Sequence, residues 1–194
     1  MKTTEWRSGR RYGLLLAAVV LIFRVSGGSE EKAFKGFVSG RVNLFSSSDS
    51  VYREIYGGAL QPEVKLGVGV WKNLYVWGGF GWLSDKGSLP SVLEETRVKR
   101  TEIGVGAGWR HELEKWSLRG EVGLVSISYK EEALGETGKG SGLGWKVTGA
   151  ADYCFWKRLY FTIQASWFDA RTDSEAEKLK LGGLIFGAGI GVRM

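Results

Sequence analysis

The chain has 194 residues, with 27 Lys and Arg against 21 Asp and Glu, and a formal net charge of +6. Thirty glycines without a three-residue period exclude collagen, and a 43% hydrophobic content with 13% aromatic residues excludes a disordered chain. The single Cys and single His exclude an intrachain disulfide framework and a cysteine-based zinc cluster, and we expect neither a metal site nor a cofactor.

The first 28 residues are typical of a secretory signal peptide. Basic residues precede a twelve-residue apolar run, Tyr12 to Phe23, and small residues follow at 25–28. The run is shorter than the roughly 20 apolar residues that a membrane-spanning helix needs, although an uncleaved anchor or a buried helix stays an alternative. We predict a signal peptide over residues 1–28 and one domain over residues 29–194.

Removal of this segment changes the charge of the chain. Residues 1–28 hold five of the basic residues and one of the acidic ones, which leaves 22 and 20 in the mature chain. The high pI of 9.4 therefore belongs mostly to the signal peptide. Because the positive and negative charges of the mature chain nearly balance, its composition gives no support to nucleic-acid binding, and we expect no nucleic-acid partner.

The mature chain alternates apolar and polar residues with the two-residue period of β-strands. Trp145 and Val147, for example, share one face, and Lys146 and Thr148 share the other. The same pattern predicts eight strands, at residues 37–45, 63–71, 74–84, 101–110, 116–124, 143–155, 159–167 and 182–193. Their lengths fit the 9–11 residues with which a tilted strand crosses a bilayer.

The connections between these strands alternate between short and long. We expect short turns at residues 72–73, 111–115 and 156–158, and long polar loops at residues 46–60, 85–96, 130–142 and 170–178. Short turns at one end and long loops at the other are typical of bacterial outer-membrane barrels, in which the short turns face the periplasm. An even number of strands places both ends of the barrel chain on that side.

The polar face of the strands combines charged residues with glycine, and we predict that it faces the lumen while the apolar face meets lipid. The predicted lumen charge network consists of Arg41, Glu63, Lys65, Glu102, Arg110, Arg119, Glu121, Lys146, Asp152 and Arg193. An eight-stranded interior is narrow enough for side chains to fill, and buried charges need partners. Structural ion pairs that fill the barrel are therefore favoured over the alternative of a gated ion path.

Tryptophan is ordered along the strands in a way that agrees with this orientation. Trp71, Trp109, Trp116 and Trp156 lie beside the predicted short turns, whereas Trp82, Trp145 and Trp167 lie near the predicted long loops. Indole rings prefer the headgroup level of a membrane, so these residues predict an aromatic girdle at each interface.

Three glycine-rich stretches superficially resemble nucleotide-binding loops. At 104–108 and 187–191, glycine recurs at every second residue, which is one face of a strand and not the G-x-G-x-x-G fingerprint. The stretch GETGKGSG at 135–142 lacks the spacing of a phosphate loop, and we predict a flexible loop tip there.

His111 and Cys154 are the remaining candidates for chemistry. His111 falls in a predicted periplasmic turn without a nucleophile and carboxylate beside it, so we predict no catalytic residue and treat a lipid A-modifying barrel enzyme as a less favoured alternative. Cys154 falls on the polar face near a short turn, where we expect a small packed residue, with a reactive thiol as the alternative.

The phrases GVGAGWRHELEKWSLRGEVGL (104–124) and GGLIFGAGIGVRM (182–194) complete the pattern. Over about residues 33–194, the chain resembles the small outer-membrane β-barrel proteins of the OmpA/OmpX/OmpW type. The resemblance implies an all-β, eight-stranded, antiparallel up-and-down transmembrane barrel in the cell outer membrane. Such barrels usually end in an aromatic residue, whereas this sequence ends in Met194.

We expect a monomer that is not an enzyme and has a structural or surface-interaction role. Its expected partners are outer-membrane lipid, lipopolysaccharide and the outer-membrane assembly machinery. A narrow channel for small or hydrophobic solutes is the main alternative. A soluble lipocalin-like binder is a further one, and it would reverse the inside and the outside of the barrel.

Overall fold

Eight strands and one short helix make up the part of the chain that the structure, a computed structural model, describes: residues 35–56, 58–88, 95–133, 136–172 and 182–194. The elements are β1 (Gly36–Ser47), α1 (Ser50–Tyr56), β2 (Gly58–Trp71), β3 (Leu74–Ser88), β4 (Glu95–Leu113), β5 (Trp116–Ala133), β6 (Glu136–Trp156), β7 (Leu159–Thr172) and β8 (Gly183–Arg193). The predicted signal peptide at 1–28 lies outside the described residues.

The strands form one closed antiparallel barrel in which each strand pairs with its neighbours in the sequence. The circle is completed by β1 and β8, which pair along eleven positions from Phe37↔Arg193 to Ser47↔Gly183. Closure leaves no sheet edge, which is the condition for strands to cross hydrocarbon. The predicted eight-stranded up-and-down barrel is confirmed.

Two-residue turns connect the strands at one end of the barrel, the short-turn end. The first residues of these turns are Lys72, Glu114 and Lys157, and their φ angles are 40°, 34° and 34°, respectively. These positive values are the left-handed conformation that tight hairpins use. The predicted turn at 111–115 is too long, because β4 continues to Leu113 before it reverses.

The opposite, long-connection end differs more from the sequence prediction. Most of the predicted loop at 130–142 is strand, because β5 continues to Ala133 and β6 begins at Glu136. The predicted loop at 85–96 is strand at both of its ends, since β3 continues to Ser88 and β4 begins at Glu95. Residues 136–142 are thus part of β6 and not a loop tip. The strands continue to pair here beyond their outward-facing apolar residues, because the backbone hydrogen bonds between strands do not require apolar side chains.

The two remaining long connections also have other boundaries than predicted. The one at 46–60 contains α1 and the first residues of β2, and the one at 170–178 begins only after β7 ends at Thr172. Tyr56 of α1 is buried, and its hydroxyl donates a hydrogen bond to Glu131 Oε1 at 2.7 Å. Across the described ranges, no helix combines the length and the apolar character needed to span a membrane.

The two faces of the barrel wall have opposite character. Outward-facing Val122, Leu124 and Ile163 are 56%, 58% and 50% exposed, whereas inward-facing Lys65 and Asp152 are fully buried. A soluble barrel would place the apolar side chains inside. The lipocalin-like alternative is therefore wrong, and the apolar exterior is the surface that a membrane-spanning barrel presents to lipid.

Candidate functional site

All ten residues of the predicted lumen charge network stand at inward-facing positions of the barrel. Nine of them are at most 4% exposed: Arg41, Glu63, Lys65, Glu102, Arg110, Arg119, Glu121, Lys146 and Asp152. The tenth, Arg193, lies at the short-turn end, where its side chain is 19% exposed. The period-two pattern placed them inside because successive side chains of a strand point to opposite faces.

The middle of the network is built around Lys146 of β6. Its Nζ lies 2.7 Å from Glu102 Oε1 and 3.8 Å from Glu63 Oε1. Lys65 Nζ lies 3.8 Å from the same Glu63 oxygen and also bonds Glu121. Because β2 and β6 are four strands apart in a ring of eight, the contact between Glu63 and Lys146 spans the lumen.

A second group of ion pairs lies toward the short-turn end, around Arg119 of β5. Its Nη2 donates to Asp152 Oδ1 at 2.9 Å, and its Nε lies 2.9 Å from the other oxygen of the same carboxylate. The Nη2 atoms of Arg110 and Arg193 both donate to Ser117 Oγ at 2.9 Å. These contacts connect β4, β5, β6 and β8.

Neutral amides, which the sequence analysis did not single out, complete the network. Gln164 Nε2 donates to Asn43 Oδ1 at 2.9 Å and to Glu63 Oε2 at 3.0 Å. Gln61 Nε2 donates to Glu102 Oε2 at 3.0 Å. They give the buried carboxylates of Glu63 and Glu102 hydrogen bonds in addition to those of the cations. Their inward register on β1, β2 and β7 was the signal that could have identified them.

The interior above the network, toward the long-connection end, is apolar, which the alternation of polar and apolar residues did not predict. The upper apolar cluster consists of Phe45, Tyr56, Ala59, Leu83, Val98, Val125, Ile127, Phe168, Ala170 and Ile185. Arg100, also missed, joins it to the network: its guanidinium lies 4.5 Å and 4.6 Å from the rings of Phe45 and Phe168 and donates to Glu102 at 3.0 Å.

A lower aromatic cluster lines the lumen toward the short turns. It consists of Phe37, Tyr75, Trp77 and Tyr160. Lys65 Nζ lies 4.3 Å from the centre of the Trp77 ring, and the Arg119 guanidinium lies 4.9 Å from the centre of Phe37. In both contacts the positive group is attracted to the electron-rich face of the ring. The lumen is thus filled in successive layers by an apolar cluster, an ion-pair network and an aromatic cluster.

The seven tryptophans of the predicted girdles all point outward. Trp71, Trp109, Trp116 and Trp156 lie at the short-turn end, and Trp82, Trp145 and Trp167 lie toward the long-connection end. Trp145 and Trp167 on neighbouring strands make an edge-to-face contact with ring centres 4.6 Å apart. Two bands of indole rings therefore border the apolar exterior.

His111 and Cys154 lie near the short-turn end. The exposed His111 ring stacks on Trp109 with the ring centres 5.6 Å apart. Cys154 is partly exposed, and its Sγ lies 3.4 Å from the carbonyl oxygen of Lys157. Neither contact positions a nucleophile next to a base.

A shallow depression of about 820 Å³ lies on the outer wall between the two girdles. Its floor includes the small outward-facing residues Gly149, Ala151, Ala165 and Ala188, and Phe186 stands at its side. The depression opens toward the lipid.

No protein-family model matches the sequence, and no curated protein matches it. Solved structures do resemble the barrel. Neisserial surface protein A (NspA) has a TM-score of 0.66 and 13% identity, with 84% of this chain and 100% of that chain covered. OprG from Pseudomonas aeruginosa has a TM-score of 0.60 and 10% identity, with 84% and 97% covered.

The N-terminal β-barrel domain of Pseudomonas aeruginosa OprF is similar as well, with a TM-score of 0.56, 10% identity, and 82% of this chain and 98% of that chain covered. At such low identities the likeness concerns the fold. The chain has the fold of the small eight-stranded outer-membrane β-barrels, and the resemblance seen in the sequence is confirmed at that level.

Proposed function

We propose that this chain is an integral outer-membrane protein with a non-catalytic role, in which the barrel is an anchor and the long-connection end makes the functional contacts. The observation that carries the proposal is the filled lumen behind an apolar exterior. The ion pair between Lys146 and Glu102 joins side chains of β6 and β4, and the contact with Glu63 continues it across to β2.

The filled lumen supports an anchor over a channel. A water-filled path along the axis would have to part the buried pairs between Lys65 and Glu121 and between Arg119 and Asp152. Removing one partner of a buried pair costs about 3–5 kcal/mol, because the other charge is left uncompensated. Opening such a path would disturb several pairs together, so a channel is energetically disfavoured.

The position of His111 supports a non-catalytic role. His111 lies near the short-turn end, whereas chemistry on the lipids of the outer leaflet takes place at the long-connection end. An acyl transfer or hydrolysis there would need a base near its nucleophile, and the only histidine of the sequence is on the wrong side.

The strand extensions support a surface role. The β5–β6 hairpin continues to Ala133 and Glu136, well past the outward-facing apolar residues of both strands. Hydrogen-bonded strands hold their side chains more rigidly than a flexible loop does. The described part of the β5–β6 hairpin therefore presents an ordered surface beyond the apolar exterior.

Two measurements on the same preparation test the proposal. The membrane fraction is run on a denaturing gel with and without boiling, and the purified protein is added to a planar lipid bilayer. We expect migration that changes on boiling, as for an intact small barrel, and no stable conductance steps. Recovery of the protein in the soluble fraction would contradict the proposed membrane location. Large stable conductance steps would contradict the proposal that the filled lumen does not conduct ions.

A further inference from the structure

Three lysines stand side by side on the outer face of neighbouring strands near the long-connection end. Lys99 of β4 pairs with Lys130 of β5, and Lys130 pairs with Lys139 of β6. All three occupy outward-facing positions of their strands, and Lys99 and Lys139 are exposed. Directly opposite residues have Cβ atoms about 5 Å apart, so this lysine row concentrates three positive charges on one small surface.

The next pairing row adds to the positive charge. Arg97 of β4 lies opposite Lys86 on one side and Glu132 on the other. Among the described outward residues of the two rows, five are basic and Glu132 alone is acidic. Like charges directly opposite each other destabilise a sheet, so the folded barrel keeps this arrangement at a cost unless an anion offsets it.

Glu132 does not neutralise the patch. Its carboxylate bonds Lys130 of the same strand. The hydrogen bond and the charge of Lys130, together with the charges of Lys99 and Arg97, hold the pKa of this exposed carboxyl below its ordinary value. Neither Lys99 nor Lys139 forms an ion pair with a carboxylate among the described outward residues of these rows.

The position of the lysine row relative to the membrane suggests what the anion is. On the side toward the bilayer, the adjacent row contains Trp82, Thr101, Ser128 and Ser141. The row after it, which includes Phe80, Ile103 and Leu143, belongs to the apolar exterior. Going outward, the surface changes from apolar to indole and hydroxyl and then to lysine, the order of acyl chain, glycerol or sugar, and phosphate in a lipid.

We propose that the lysine row is a binding site for the phosphate groups of a lipid headgroup in the outer leaflet. The inference rests on the proposed function, because it requires the barrel to span the membrane with its long-connection end outward. A lipid with two phosphates fits better than one with a single phosphate, since neighbouring lysines can each contact a different phosphate.

The test compares the binding of fluorescently labelled lipid A that carries two phosphates, lipid A that carries one phosphate, and phosphatidylglycerol. Full-length protein is folded in a zwitterionic detergent, and affinity is measured by fluorescence anisotropy. The variant Lys99→Gln/Lys130→Gln/Lys139→Gln removes the row without changing side-chain length greatly. We expect about a fivefold loss of affinity for each lysine and roughly a 100-fold loss for the triple variant.

A matched variant at the other end controls for net charge. Lys72→Gln/Lys115→Gln/Lys157→Gln removes three exposed lysines from the short turns. We expect its affinity for lipid A to stay within twofold of the unsubstituted protein. The affinity difference between lipid A with two phosphates and lipid A with one is expected to shrink only when the lysine row is removed.

Each outcome decides between the two proposals. Every protein is first checked for heat-modifiable migration, and if the triple variant does not fold, Lys99→Gln alone is used with its fivefold expectation. Equal losses of affinity in both triple variants, or no loss in either, would contradict phosphate binding by the lysine row. Neither result would affect the proposal that the barrel is a membrane anchor. An unsubstituted protein that fails to form a membrane-inserted barrel would overturn the proposed function as well.

Discussion

The phenol ring of Tyr160 lies against Gly191, the residue directly opposite it on the neighbouring strand. A Cβ atom at Gly191 would overlap that ring. Phe37 and Gly67 form the same pair on β1 and β2, and an aromatic ring also covers the glycine opposite Tyr75 on β4. Inward-facing glycine therefore provides the space in which the lower aromatic cluster lies, and the ring covers backbone that glycine leaves bare.

Gly191→Ala is expected to destabilise the barrel by about 1–3 kcal/mol, because the added methyl group forces the Tyr160 ring out of its position. Gly149→Ala is the matched control, since Gly149 faces outward and a Cβ there meets nothing within 4 Å. Urea unfolding of the barrel in lipid vesicles, followed by tryptophan fluorescence, measures both. Equal effects of the two substitutions would contradict the role of the ring.

Glu121→Gln is expected to cost about 3–5 kcal/mol, because a buried carboxylate with several donors loses its charge. Lys65 bonds one of its oxygens, and Tyr75 and Arg119 donate to the other at 2.8 Å each. In the control, Glu112→Gln, the side chain is 57% exposed, and the expected loss is below about 1 kcal/mol. The same unfolding measurement applies, and a loss at Glu121 no greater than that at Glu112 would argue against the network.

Arginine on the outer face is expected to destabilise the barrel according to depth in the membrane. Val122→Arg places a charge between the two tryptophan bands on β5 and should cost about 2–4 kcal/mol, whereas Ser128→Arg, outward on the same strand near its far end, should cost about 0–1 kcal/mol. The free energy of unfolding in vesicles provides the comparison. If the two variants were equally stable, the apolar face would not be the lipid-facing one.

The single cysteine of the sequence permits a test of topology. Cys154 lies near the short-turn end of β6, and exposed Thr137 lies near the other end of the same strand. A maleimide attached to a large polyethylene glycol should leave the unsubstituted protein unlabelled in intact cells and label it after the outer membrane is permeabilised. Cys154→Ser/Thr137→Cys should be labelled in intact cells. The opposite pattern would mean that the barrel is inverted.

Much of this fold could be predicted from the sequence, because strand residues alternate between two faces wherever one face is apolar. Lys146 could be placed in the lumen since Trp145 and Val147 on either side of it are apolar. The ends of β5 and β6 at the long-connection end could not be predicted in this way. Past Ser128 both faces of β5 are polar, while its backbone hydrogen bonds to β6 continue to Ala133. Hydrophobic alternation therefore indicates which part of a strand faces the membrane, and it does not indicate where the strand ends.

The contents of the lumen were only partly predictable for a related reason. Consecutive apolar residues such as Leu124 and Val125, or Trp167 and Phe168, supply both faces at once and indicate an apolar interior near the long-connection end. Which charges pair depends on how far the strands are staggered around the barrel. The contact of Glu63 with Lys146 across the ring follows from that stagger and not from any local pattern.

The pairing of β1 with β8 also constrains how the protein is made. A ribosome completes the first strand long before its hydrogen-bonding partner exists, so the seam of the cylinder cannot close while synthesis is under way. Until it closes, both strands of the seam carry unsatisfied backbone groups that would recruit strands from other polypeptides. The new chain must therefore be kept unfolded and apart from other copies until it reaches the membrane, where β1 and β8 can pair.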